Sequence, residues 1–208
     1  MRIFVCTDAH KISENTLEKA LKLLPPQRRE HLLPYKNRSD IINGVSAFLL
    51  LKKLLSDDFS FNSDIEFTYG KFGKPYLSGK SGIFFSISHC RCASAASVHT
   101  CEIGIDILDK RKINLSLADR ICCENEVTIL NTDENKEEAL IKIMCLKESL
   151  SKMTGKGFTE GFKSIDTTRS VNSFFCETDD YILSLSSTDN FSANVVNIPA
   201  DALFGDCF

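Results

Sequence analysis

Residues 101–109, CEIGIDILD, read as a buried strand that carries a single central acid, with Ile103, Ile105, Ile107 and Leu108 around Asp106. A carboxylate there either faces outward on a half-exposed strand, as alternation with Ile105 and Ile107 allows, or is compensated by a cation or hydrogen bonds. The stretch also restarts a pattern. Before it, RIFV (2–5) reads as a strand and SENTLEKALKLL (13–24) as a helix with Ser13 as N-cap, stopped by Pro25-Pro26. SDIINGVSAFLLLKKLL (39–55) is a longer helix, with Ile41, Val45, Phe48, Leu49 and Leu55 able to line one face. IEFTY (65–69), PYL (75–77), IFFSIS (83–88) and ASAASVH (93–99) follow as short strands.

After residue 109 the order recurs. SLADRICCENEVTIL (116–130) and NKEEALIKIMCLKESLSKMTG (135–155) read as helices, the second with Gly155 as C-cap, and FKSIDTT (162–168), SFFCET (173–178), DYILSLSS (180–187) and FSANVVNI (191–198) as strands. Strand, helices, then strands, twice over, predicts an α+β architecture of helices packed on antiparallel sheets rather than alternating βαβ units. The halves divide into an N-terminal lobe, 1–103, and a C-terminal lobe, 104–208, with no linker between them.

Composition narrows the function classes. The 208 residues are 43% hydrophobic and 25% charged, which predicts a globular chain with a substantial core. A net charge of −3 argues against a general nucleic-acid binder, although a local basic pocket stays open. The nine cysteines follow an amino terminus without the apolar region of a signal peptide, so they read as reduced thiols in a cytoplasmic protein. Cys90-x-Cys92 and Cys122-Cys123 lack the spacing of paired zinc knuckles. GVSAFLLL (44–51) is too short to span a bilayer.

The candidate chemistry is sparse. Glu148 and Lys152 stand four apart on one helix face, either as an exposed ion pair worth a few tenths of a kcal/mol or as two groups converging on one ligand. A strand carboxylate with a helix carboxylate, Asp106 with Glu148, is a way to hold Mg²⁺ against phosphates. Lys74, Ser88 and His89 suit phosphate or ribose recognition. Ser88 and His89 do not make a nucleophile and base, since adjacent strand residues point to opposite faces.

FGKPYL (72–77), FFSISHC (84–90), IGIDIL (103–108) and CLKESLSKMTGKG (145–157), in this order, resemble the successive motifs of 4′-phosphopantetheinyl transferases of the surfactin-synthetase-activating type. PPQRREHLLPYKNRSD (25–40) is more loosely similar to the basic segment of that family, and beyond about residue 165 only the strand pattern matches. The resemblance implies a pseudo-dimer of two similar lobes, sufficient as a monomer, with coenzyme A and Mg²⁺ in the cleft between them. It implies transfer of the phosphopantetheine arm from CoA to a serine of an apo acyl or peptidyl carrier protein, with release of adenosine 3′,5′-bisphosphate.

Carried over by position, the resemblance makes Asp106 and Glu148 the metal ligands, Glu148, or a water or hydroxide held by it and the metal, the acceptor of the serine proton, and Lys152 a contact to the α-phosphate that stabilises the leaving phosphate. Lys74, Ser88, His89, Arg28 and His31 become CoA-binding residues, and Lys156 a contact to the phosphopantetheine or pyrophosphate end. Leu115, Leu117, Arg120 and Ile121 become a candidate docking face for the carrier. Three positions depart from the family pattern: Leu108 for a common second acid, Asn43 for an arginine that a shifted alignment would instead supply as Arg38, and Met144 for a tryptophan. The loss of an acid at Leu108 and of a base at Asn43 motivates an alternative, a catalytically silent relative that binds CoA or carrier proteins.

Overall fold

A computed structural model describes residues 1–169 and 171–205 as an α+β arrangement. The strands are β1 (Arg2–Cys6), β2 (Phe67–Tyr69), β3 (Pro75–Leu77), β4 (Phe84–His89), β5 (Ser94–His99), β6 (Ile103–Asp109), β7 (Ser173–Glu177), β8 (Tyr181–Ser187) and β9 (Asn194–Asn197). The helices are α1 (Glu14–Leu21), α2 (Pro26–Leu32), α3 (Arg38–Phe59), α4 (Ala118–Ile121), α5 (Glu124–Thr132), α6 (Lys136–Thr154) and α7 (Ala200–Gly205). They frame one sheet in the order β4-β5-β1-β9, a second in the order β6-β8-β7, and a β2-β3 hairpin.

Local chemistry sets the helix ends. The Ser13 hydroxyl accepts a hydrogen bond from the Thr16 N–H at 3.2 Å, as an N-cap should. α2 starts with Pro26 in its first turn, where a missing N–H costs nothing, and Arg29 caps the end of α1 by donating to the carbonyls of Leu21, Lys22 and Leu24. Leu32 of α2 then fills the space over Gly44 of α3, where an added Cβ would lie 2.4 Å from the leucine methyl. α6 ends at Gly155 in the left-handed region (φ 65°), which suits glycine.

α3 covers the first sheet and α6 the second. Phe4, Phe48, Leu49, Leu51, Phe85 and Val98 belong to one core, and Ile103, Ile105, Ile107, Leu183 and Leu185 to another. The sheets meet at β4 and β6, where the Ile105 N–H donates to the Ser86 hydroxyl at 2.9 Å. Gly104 lets α6 lie directly on β6: a Cβ there would stand 1.9 Å from the Ser149 carbonyl oxygen and 2.3 Å from the Met153 nitrogen.

Three sequence expectations are corrected. The first sheet is not wholly antiparallel, because β9 pairs in parallel with β1 while α7 packs into the core beneath α3. The stretch 162–168 is not a strand: Phe162–Ser164 forms one turn of 3-10 helix, and the following backbone is held by side chains. The helix expected over 116–130 breaks at Cys122–Cys123, where Cys123 becomes the N-cap of α5 and its N–H donates to Glu126 at 2.8 Å.

Those side chains are Lys147 and Glu126, a fully buried ion pair with Nζ 2.8 Å from Oε2. Lys147 also donates to the carbonyls of Phe162 and Ile165, and Glu126 accepts from the Thr167 N–H and hydroxyl. A buried charge pair persists only with its remaining hydrogen bonds met in this way. The pair ties α5 and the loop after Gly155 to α6. Among the described residues no helix is long and apolar enough to cross a membrane.

Candidate functional site

The joint between the sheets carries the charged cluster. Asp106, on β6, is 4% exposed, and its Oδ1 accepts from the Ser88 hydroxyl of β4 at 2.8 Å and from Lys152 Nζ of α6 at 2.7 Å. Lys152 also donates to the Ser88 hydroxyl at 2.9 Å. Asp106 Oδ2 is buried with no hydrogen-bond partner among the described residues. An orphaned carboxylate oxygen in the interior is costly unless something positive meets it.

Glu148 lies one helical turn before Lys152. Burial raises its pKa, the Asp106 charge adds to that, and Lys152 opposes it. None of the described residues makes a hydrogen bond to its carboxylate. Two carboxylates in one half-buried corner, one with a free oxygen, form a donor set that fits a divalent cation of the Mg²⁺ class.

Two cavities flank this corner. The larger, about 720 Å³, is lined by Arg38, Asp40, His89, Arg91, Arg111, Ile141 and Met144 among others. The smaller, about 260 Å³, is lined by Arg28, Lys74, Ser86, Lys152 and Gly157 among others. Along α6, Met144 faces the first cavity and Lys152 the second, so Glu148 sits one turn from each.

Arg28 is partly buried and its Nε has no partner among the described residues, and burial lowers its pKa. An under-compensated guanidinium beside a cavity is suited to bind an anion. His31, three residues on in α2, is exposed, and its ring edges Tyr35, which in turn edges His89. His89 is held largely neutral, its pKa lowered to about 4 by burial, with Arg28, Lys152 and His31 adding to the effect and Asp40 opposing it.

That depression sets a pH dependence. Below an ordinary His pKa of 6.5 the unfolded chain takes up a proton that folded His89 refuses until about 4, so stability falls across that window as pH drops. At about pH 5 the loss is of the order of 2 kcal/mol relative to neutral pH. Denaturant unfolding at both pH values measures it, and His89→Gln is expected to remove this part of the slope.

Lys74 is positioned differently from the others. It donates to Glu102, to the Ile103 carbonyl at 3.3 Å and to the Met153 carbonyl at 2.7 Å, joining the β2-β3 hairpin to β6 and to the end of α6. Lys156 is exposed and lines a separate cavity with Glu160, Asp166 and Arg169, away from the other site residues. Asn43 donates from Nδ2 to the Cys90 and Arg91 carbonyls at 2.9 and 2.8 Å, so it shapes the turn after His89. Leu108 and Met144 both line the larger cavity.

On the candidate docking segment, Leu115 and Arg120 are exposed, whereas Ile121 is in a small core with Leu130 and Leu140. Sequence reasoning missed Arg91 and Arg111 on the cavity wall, the Tyr35 ring between the histidines, and the Lys147–Glu126 pair. Lys147 follows the apolar stretch IMCL (143–146) but stands beside Glu148, so the sequence does not distinguish it from an exposed charge.

The family model for the 4′-phosphopantetheinyl transferase superfamily matches residues 102–195. The 4′-phosphopantetheinyl transferase Sfp of Bacillus subtilis strain 168 is 25% identical over 162 residues, covering 76% of this chain and 72% of the relative. The transferase ffp of Bacillus subtilis is 24% identical with the same coverage. The transferase gsp of Aneurinibacillus migulanus is 26% identical over 134 residues, 63% of this chain and 56% of its own. A solved structure of Thermotoga maritima holo-[acyl-carrier-protein] synthase overlaps 43% of this chain and 64% of its own, with TM-score 0.37 and 19% identity.

Proposed function

We propose that this chain, which is similar to the 4′-phosphopantetheinyl transferase superfamily over residues 102–195, moves the phosphopantetheine arm of CoA onto a serine hydroxyl of an apo acyl or peptidyl carrier protein, with Mg²⁺. The observation that carries the reading is the cluster at Asp106: one oxygen held by Lys152 and Ser88, the other without a partner, beside the raised carboxyl of Glu148. We read 1–103 and 104–208 as two lobes about this cleft, each with a sheet under one long helix, α3 or α6, while β9 and α7 of the second half complete the sheet and core of the first. A single chain contributes every site residue, so a monomer suffices.

Asp106 and Glu148 would hold the Mg²⁺, whose charge would offset that of the CoA pyrophosphate. Glu148 takes the proton from the incoming serine, a weak nucleophile at neutral pH, and its raised pKa suits that task. The serine oxygen bonds to the phosphorus that carries pantetheine as the bond to the bridging oxygen breaks. Adenosine 3′,5′-bisphosphate leaves with that electron pair. Lys152, whose ammonium is on Asp106 in the free protein, reaches the α-phosphate and stabilises the leaving phosphate as the bond breaks.

Arg28, Ser88, His89 and His31 are read as the CoA nucleotide contacts, with Lys74 holding the hairpin that walls the smaller cavity beside Arg28; Lys156, on its separate cavity, is kept as a contact to the phosphopantetheine or pyrophosphate end by the resemblance alone. A phosphate against His89 would favour its protonated form, so CoA binding between about pH 5 and 6 is expected to take up protons. Calorimetry in buffers of different ionisation enthalpy checks this. Uptake that His89→Gln removes supports the assignment, and buffer-independent heats contradict it.

A further inference from the structure

A second cluster of ligand atoms lies at the mouth of the larger cavity. Cys90 and Cys92 flank Arg91 in the turn between β4 and β5, with their sulfurs 3.6 Å apart. Asp109, the last residue of β6, accepts from the Cys92 N–H at 3.1 Å and from the Arg91 N–H at 3.3 Å, which fixes its carboxylate against the same turn. One atom from each of Cys90, Cys92 and Asp109 lies within 4.8 Å of the other two, and all three residues are half-buried.

We infer that Cys90, Cys92 and Asp109 bind a thiophilic divalent cation of the Zn²⁺ type. Two thiolates on one tetrahedral Zn²⁺, with Zn–S bonds near 2.3 Å, stand about 3.8 Å apart, close to the separation already present. The turn is also preorganised. Asn43 holds the carbonyls of Cys90 and Arg91, and the Cys90 N–H donates to Ala93 at 2.9 Å.

Without a cation the thiols stay protonated, and their hydrogen bonds help hold the Asp109 carboxyl below its ordinary range. The hydrogen bond with Cys90, burial and the neighbouring Asp109 push the Cys92 thiol far above its ordinary range. Cation binding reverses this by releasing the thiol protons, and the fourth position is left to water or to the Asp180 carbonyl, which is 3.6 Å from the Cys92 sulfur. The spacing of Cys90-x-Cys92 conceals the site in the sequence, because the third ligand comes from another strand.

The other such cluster, Cys123, Glu126 and Asp166, does not fit a cation in the same way. Glu126 is already committed to Lys147, Thr167 and the Cys123 N–H. The cation inferred at Cys90 would clasp the first sheet to the end of β6, and so would brace the wall that holds His89 and Arg91.

The test is titration of the reduced, metal-free full chain with Co²⁺ and then Zn²⁺, with excess Mg²⁺ present to fill harder oxygen sites. The expected result is a thiolate-to-cobalt charge-transfer absorption that saturates at a single equivalent and is displaced by Zn²⁺, with a rise in Tm. Cys90→Ser and Cys92→Ser should each abolish the absorption, and Asp109→Asn should weaken binding more than about tenfold. Cys123→Ser should change nothing. No charge-transfer band in the wild type, or the same band in the folded Cys90→Ser and Cys92→Ser variants, would overturn the inference.

Discussion

Glu148→Gln is expected to lower transfer of the phosphopantetheine arm by at least about a hundredfold, the usual contribution of a positioned general base, while the protein stays folded. The substitution keeps size and removes only the charge. Burial and Asp106 both make the Glu148 carboxylate unfavourable in the free protein, so its ionised form costs folding stability as pH rises. Glutamine removes that cost. In metal-free buffer the Tm should therefore be unchanged or higher, a pattern that separates a functional carboxylate from one kept for stability. Activity retained in both Glu148→Gln and Lys152→Ala would refute the assigned chemistry.

Gly104→Ala is expected to cost about 3–5 kcal/mol, the upper range of single substitutions. The added methyl would stand 1.9 Å from the Ser149 carbonyl oxygen and 2.3 Å from the Met153 nitrogen, both backbone atoms of α6. No rotamer relieves that contact, so the helix must lift from β6. The Tm should fall by about 10 °C, given about 2–4 °C per kcal/mol for a chain of this size. Lys152 should move with the helix and lose Asp106. Gly205→Ala is the control, since a Cβ there meets nothing within 4 Å, and differential scanning calorimetry compares the two.

The parts of the fold written in local chemistry were legible in the sequence. Ser13 caps α1, Gly155 ends α6, and the apolar run around Asp106 is β6, because each signal acts within a few residues. Pairing of β9 with β1 was not legible, since it joins residues nearly a chain length apart. The stretch 162–168 has a strand-like composition, yet Lys147 and Glu126 take its Phe162, Ile165 and Thr167 backbone groups and leave no ladder to form. α2 was hidden because Pro25-Pro26 reads as a stop for α1, although Pro26 also opens the next helix.

The site divides in the same way. Asp106, Glu148 and Lys152 drew notice by residue type and placement and took their roles from the family resemblance, and the structure brings Asp106 and Lys152 to 2.7 Å with Glu148 one turn before Lys152. Residues whose partners are remote in sequence were harder to read. Lys74 read as a residue suited to phosphate or ribose recognition, but in the structure Glu102 and two carbonyls occupy it. Asn43, read by resemblance as replacing an arginine, supports the turn after His89 through the Cys90 and Arg91 carbonyls.

The most direct measurement is the intact mass of an apo acyl carrier protein and an apo peptidyl carrier domain after incubation with this protein, CoA and Mg²⁺, with EDTA as control. The account predicts a gain of one phosphopantetheine on the acceptor serine, suppressed by EDTA. An unchanged mass on both acceptors, from a folded protein that binds CoA, would contradict it.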